Sequence, residues 1–199
     1  MPLLWWLLML WPMTALQQAD EAAWRKALDH YWAIKDQQFR DPQKSPLPAD
    51  HIAGFTGLER FPPDINHRVQ ARFVPAKGKA FNMPTTGSKR PLYQSVGTLH
   101  FRLHGRDLKL TVYKNLELTD PAYAQHHFVP FTDLTNGETT YGGGRYLDLN
   151  GPLGDRVELD FNKAYNPYCA YGGRYNCPIV PQENHLAVAV RAGVKAYDH

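Results

Sequence analysis

The side chains best able to do chemistry crowd into two turn-rich stretches near the end of the chain, FVPFTDLTNGETTYGGGRYLDL and LDFNKAYNPYCAYGGRYNCPIVP. Loops carrying such groups on a rigid scaffold are where binding and catalysis tend to sit. Arg145 offers a planar fork that can clamp a carboxylate or phosphate through two parallel hydrogen bonds, with Tyr141 and Tyr146 as walls. An extended backbone through GETTYGGGRY would set Tyr141 and Arg145 on one side, and the glycines between them would admit another group close to the main chain. In LDFNKAYNP, Asp160 and Asn162 are expected to point away from the face used by Phe161. With Glu138 they could form an acid/base pair or oxygen ligands for a hard cation. Tyr165 and Asn166 complete the ligand-binding set. Asp133 adds a further carboxylate. The same residue types also build buried ion pairs, turn-capping amides and loop-tying hydroxyls, so a structural network is the competing reading.

Other chemistries lack their signatures. Ser45, Ser88 and Ser95 are the only serines, and none sits in a nucleophile elbow. There is no phosphate loop, no dinucleotide fingerprint and no His-Glu-x-x-His. Gly142–Gly144 are followed by neither a Lys-Ser/Thr pair nor a helix. Nine histidines invite a metal reading. His100 and His104 would share one face of a strand, and His126 and His127 would face opposite ways; all read best as surface groups. No metal site and no cofactor are expected. Cys169 and Cys177 are the only cysteines. They lack the further ligands zinc requires and the C-x-x-C spacing of a redox pair, so a disulfide closing a short loop is the simplest reading. On the chain-entropy model such a loop is stabilised by roughly 2–3 kcal/mol.

These groups must be positioned by a chain of 199 residues, one domain's worth. Sixteen Pro and fifteen Gly favour many turns and short strands over a helical bundle. A helix is expected over residues 20–40, capped by Asp20, with Trp24, Leu28, Tyr31 and Ile34 on its apolar face. RDPQKSPLPAD and GFTGLERFPPDIN read as irregular connectors. From Arg68 the period becomes two. RVQARFV is a half-buried strand, and GTLHFRLHGRDLKLTVYK a hairpin turning at Gly105-Arg106-Asp107. Further strands are expected over FVPF, TTYGGGRYLDL, RVELDF and HLAVAVRA. The predicted fold is mainly β, an antiparallel sandwich or partly open barrel with an N-terminal amphipathic helix, residues 41–199 forming a single β-rich domain.

Residues 1–19 read as a secretory signal peptide. Leu3 to Leu10 form an apolar run, Pro12 breaks it, and Ala15 and Ala19 offer cleavage points. The run is too short to span a bilayer, so no stable membrane span is expected after cleavage. The implied location is extracytoplasmic, periplasmic or secreted, where a disulfide persists. The net charge of +3 is small and the basic residues are scattered, with no basic stripe interleaved with aromatics, so no nucleic-acid partner is expected.

The two motif-rich stretches, with FRDPQKSPLP and GFTGLERFPPD before them, resemble the signature of the DUF1684 proteins. The resemblance covers nearly the whole chain after the leader. It implies that Pro130-Phe131, Asp133, Gly137, Thr140-Tyr141, Gly144-Arg145-Tyr146, Asp160-Phe161-Asn162, Ala164-Tyr165-Asn166-Pro167 and Cys169 are motif positions. It assigns no activity, so no catalytic role is carried over.

Three functions fit. The first is a non-catalytic β-domain that binds a small polar or anionic ligand through Arg145 and the tyrosines around it. The second is a hydrolase or lyase with Glu138 or Asp160 as general base and Arg145 as electrostatic clamp. The third is a structural or interaction module whose motif is a buried network.

Overall fold

The computed structural model describes residues 14–172 and 175–197. One long helix, α1 (Ala15–Arg40), precedes a curled antiparallel half-barrel, as the composition and periodicity predicted. Its strands are β1 (Arg68–Pro75), β2 (Ala80–Asn82), β3 (Leu92–Leu103), β4 (Arg106–Asn115), β5 (His126–Asp133), β6 (Arg145–Asn150), β7 (Arg156–Asp160) and β8 (His185–Leu186). The order across the sheet is β6-β5-β4-β3-β1-β7, with β2 beside β3 and β8 running parallel to β5.

Alternation drives the sheet. Ala71 and Phe73, Leu99, Phe101 and Leu103, Leu110 and Val112, and Leu159 turn inward and bury together with Phe131, Leu147 and Phe161. The hairpin turn falls one residue earlier than expected. Leu103 pairs with Arg106, leaving His104 and Gly105 as a two-residue turn with φ of 50° and 75°. That left-handed pair is the geometry a right-twisted hairpin favours, and glycine supplies half of it without strain.

Helix α1 starts earlier than Asp20. Thr14 is its cap and makes a reciprocal capping box with Gln17. Asp20 instead accepts from Arg68 Nη1 at 3.0 Å. The buried stripe runs Trp24, Leu28, Trp32, Asp36 and Phe39; Tyr31 is half-buried and Ile34 is exposed. The helix is docked by two indole donors, Trp24 Nε1 to Asp160 Oδ2 at 2.8 Å and Trp32 Nε1 to the Asn162 carbonyl at 3.1 Å. Asp36 accepts from the Leu58 amide and from Arg60, which pins the GFTGLERFPPDIN connector. Residues 1–13 of the expected leader lie outside the described residues. Thr14 to Asp20 are all exposed, so the core does not depend on them. Among the described residues no helix is long and apolar enough to cross a membrane.

Two expected strands form only in part. TTYGGGRYLDL becomes a strand from Arg145 onward, and the preceding residues make a compact turn structure. In HLAVAVRA only His185 and Leu186 join a ladder. Leu186, Val188, Val190 and Ala192 still alternate inward and bury, but side chains rather than a neighbouring strand satisfy much of their backbone.

Just before β1 begins, His67 is buried, with Nδ1 3.0 Å from Asp64 and Nε2 3.2 Å from Nε2 of His104. Burial pulls its pKa below 6.5, helped by His104 and Arg145 and opposed by Asp64. The folded state therefore holds fewer protons than the unfolded one just below pH 6.5, and stability present above that value falls away as the pH drops toward the folded pKa. We expect the urea midpoint to fall between pH 7.5 and 5.5 (about one unit either side of the ordinary histidine range), and to fall less in His67→Asn. Equal losses in parent and variant would remove His67 from the acid response.

Candidate functional site

The Arg145 motif is a lock. Its side chain is fully buried, and it sits at the first position of β6, where the backbone of Gly144 at φ 88° turns the loop into the strand. A Cβ at Gly144 would lie 2.6 Å from the Phe131 carbonyl oxygen, so no side chain fits there. The guanidinium donates through Nη2 to Asp133 Oδ2 at 2.8 Å and to the Val190 carbonyl at 2.7 Å, and through Nη1 to the Ala192 and Val194 carbonyls. Asp133 Oδ1 accepts from the Thr135 amide and hydroxyl and from the Val190 amide. Burial pulls the Arg145 pKa below its ordinary value, and Asp133 opposes the shift.

Around this pair the motif ties itself together. Asn136 accepts from the Asp133 amide and donates to Thr140 Oγ1 and to the Tyr141 carbonyl. Tyr141 is half-buried and packs toward the cluster under α1. Glu138 lies exposed in this loop. The C-terminal segment is then laced down, with the Ala196 amide on the Thr139 carbonyl and Asn166 Nδ2 on the Lys195 carbonyl at 2.8 Å.

Asp160 and Asn162 also serve the fold. Asp160 is buried under Trp24 and caps the short 3-10 turn Phe161–Lys163, accepting from the Asn162 amide and side chain. Asn162 brackets Asp64, accepting from its amide and donating to its carbonyl. The expectation that both project from a strand face fails because the chain leaves the strand at Phe161. Arg145, Glu138 and Asp160 therefore do not share an open cleft: Arg145 is sealed inside, Asp160 is under the helix, and Glu138 is on an outer loop.

A different set converges. A cleft of about 380 Å³ opens between α1, the β5–β6 edge and the disulfide loop. Tyr146 and Tyr165, both expected ligand groups, line it, with Tyr93, Phe128, Tyr168 and Tyr175 as further ring surfaces. The β5–β6 register pairs Phe128 with Asp148 and Pro130 with Tyr146, so His126, Phe128, Tyr146 and Asp148 share one face. Asp148 holds His126 Nε2 at 2.9 Å through Oδ1 and accepts from the Tyr165 hydroxyl at 2.7 Å through Oδ2. Lys35 enters from α1, its Nζ 4.4 Å from the centre of the Tyr165 ring. Burial lowers the Lys35 pKa, and nearby Asp148 opposes this. Burial, reinforced by Asp148, raises the Tyr165 phenol well above its ordinary value.

The walls are rigid. Tyr146 and Tyr165 exchange backbone hydrogen bonds and stand edge-to-face with centroids 5.8 Å apart. The Tyr146 hydroxyl donates to the Pro178 carbonyl. The Cys169–Cys177 disulfide, expected from the sequence, ties the loop that carries Tyr168, Tyr175 and Pro178 to the cleft. Tyr168 and Tyr175 meet edge-to-face at 5.2 Å. Chemically, the cleft offers flat apolar faces, a cation depressed by burial, and an imidazole oriented by a carboxylate. Sequence reasoning missed Lys35, His126 and Asp148. They are distant in the chain, and only strand register brings the last two within reach.

Comparison with known proteins agrees with the motif reading. The family model described as "Protein of unknown function (DUF1684)" matches residues 53–195. No curated protein matches. Among solved structures, the solution NMR structure of an uncharacterized protein from Haloarcula marismortui is similar, with 34% identity, a TM-score of 0.71, and coverage of 89% of this chain and 96% of that one. The Arg145 lock and the turns it closes fall within the matched segment, and on that match the chain belongs to the DUF1684 family.

Proposed function

We propose that this protein is an exported binding domain that takes a small polar or anionic ligand into the tyrosine-lined cleft. The observation that carries the reading is the convergence there of Lys35 with the His126–Asp148–Tyr165 chain. The cleft lies in the volume range of small-molecule sites, mostly apolar with a few polar groups that fix orientation. A sugar or aromatic ring would stack on the tyrosines and present a hydroxyl or carboxylate to Lys35 and His126. Export rests on the apolar Leu3–Leu10 run, the disulfide, and a helix start that the core does not use.

The test is a panel of monosaccharides and aromatic carboxylates followed by amide chemical shifts. A binder should perturb Tyr146, Asp148 and Tyr165, and Lys35→Met should weaken a carboxylate at least about tenfold, the scale of one charge-assisted hydrogen bond. Shifts confined to other surfaces would end the proposal. One observation favours catalysis instead: Asp148 orients His126 as a general base would be oriented. Turnover of a bound member of the panel that His126→Gln abolishes without weakening binding would favour that reading.

A further inference from the structure

We infer that the outer face of the sheet carries a second, separate site for a compact anion bearing several phosphate groups. The register places four basic side chains in one row across four strands. Arg156 on β7 pairs with Arg72 on β1, Arg72 pairs with His100 on β3, and His100 pairs with Lys109 on β4. Their neighbours Ala71, Phe73, Leu99, Phe101 and Leu110 point into the core, so the row faces outward. Arg72, Lys109 and Arg156 are exposed and His100 is half-buried.

Like charges directly opposite each other in a sheet are destabilising. Among the described residues none of the four has an ion pair to offset this; the nearby acid Glu158 is held by Arg68. Three strand spacings make the row about 14 Å long. Arg102, one step along β3, joins Arg72, His100 and Arg156 around a groove of about 590 Å³. Asp107 and Asp155 also line that groove. They repel a broad anionic surface and leave a narrow track along the row. A short chain of phosphates fits that track, because guanidinium forks meet phosphate oxygens in pairs and the row supplies charge along its length. His100 faces Arg72 on one side and Lys109 on the other.

The experiment titrates the full chain with inorganic tripolyphosphate at low salt by calorimetry, with amide shifts to locate it. We expect binding that weakens with added salt, with shifts on Arg72, His100 and Arg156. Arg72→Gln with Arg156→Gln should weaken binding at least about tenfold, the scale of removing a charge-assisted hydrogen bond. The same double variant should melt at or above the parent's temperature, because the opposed charges are gone. Tighter binding of a nucleoside triphosphate than of tripolyphosphate would identify an organic phosphate as the natural form; equal binding would identify the phosphate chain itself. No tripolyphosphate binding at millimolar concentration, unchanged affinity in the double variant, or binding confined to nucleic acid or sulfated glycan would overturn the inference. The Tyr146–Tyr165 cleft shares no lining residue with this groove, so either site can fail without the other.

Discussion

Arg145→Ala is expected to lower the melting temperature by roughly 6–20 °C, because removing one partner of a buried pair costs about 3–5 kcal/mol and each kcal/mol shifts a domain of this size by about 2–4 °C. The cost has two sources. Asp133 would stay buried with an unpaired carboxylate, and the Val190, Ala192 and Val194 carbonyls would lose their donor. Between Val188 and Val194 no strand ladder runs, so without Arg145 the stretch would depend on isolated backbone bonds: the Leu134 amide to Val188, the Phe61 amide to Gly193 and the Val194 amide to Ala164. Arg145→Lys should rescue little, since one ammonium cannot span a carboxylate and three carbonyls in a fixed fork. Asp133→Asn should be less damaging than Arg145→Ala, because the amide still accepts at Oδ1. In the double variant the losses should not add, since both act on one network. Calorimetric melting of the four variants beside the parent decides it. An Arg145→Ala protein within about 2 °C of the parent, less than one kcal/mol on that scale, would show that the lock contributes nothing and would restore Arg145 as a ligand group.

The difference between lock and clamp marks the limit of what the residues alone could reveal. Inward alternation was legible, so the half-barrel, the Leu99–Val112 hairpin and the amphipathic helix could be read from period alone. The disulfide was legible because two cysteines without further metal ligands or a C-x-x-C spacing leave few alternatives. Motif density was legible too, and it pointed at Tyr146 and Tyr165, which line the cleft. What the motif does was not, because a buried Arg–Asp pair and an exposed Arg clamp use the same letters. HLAVAVRA alternates like a strand, yet Asp133 and Arg145 take the place of its neighbour. No local signal distinguishes a carbonyl paired to a strand from one paired to a guanidinium. Register hid the rest. His126 and Asp148 are 22 residues apart and meet diagonally across β5 and β6. Arg72, His100, Lys109 and Arg156 look scattered in the chain and form a row only when four strands align.

The same substitution of side chain for strand predicts a second large effect at Asn184, which carries no motif signal. Strands β4 and β5 share a ladder only at Tyr113 and Phe128. Beyond that point the gap is bridged by Asn184, fully buried in the short turn Gln182–Asn184. Its Oδ1 accepts from the Thr111 amide at 2.7 Å, while Nδ2 donates to the Thr111 carbonyl at 2.9 Å and the Pro130 carbonyl at 2.7 Å. One amide thus completes three backbone groups that a continuous ladder would have satisfied. Asn184→Leu roughly preserves size but leaves all three unpaired, at about 1–3 kcal/mol each. We expect a total loss of roughly 3–6 kcal/mol, since the groups will recover part of their pairing through water. Asn184→Asp should be no better, because a carboxylate keeps the Thr111 amide but faces two carbonyls with no donor. Hydrogen exchange separates this from a general loss of packing. The Thr111 amide should exchange faster than the β3–β4 hairpin amides in both variants, because the opening is local before it is global. A Thr111 amide as protected in Asn184→Leu as in the parent would mean that β4 and β5 hold together without the bridge, and that the half-barrel's closure there depends on packing alone.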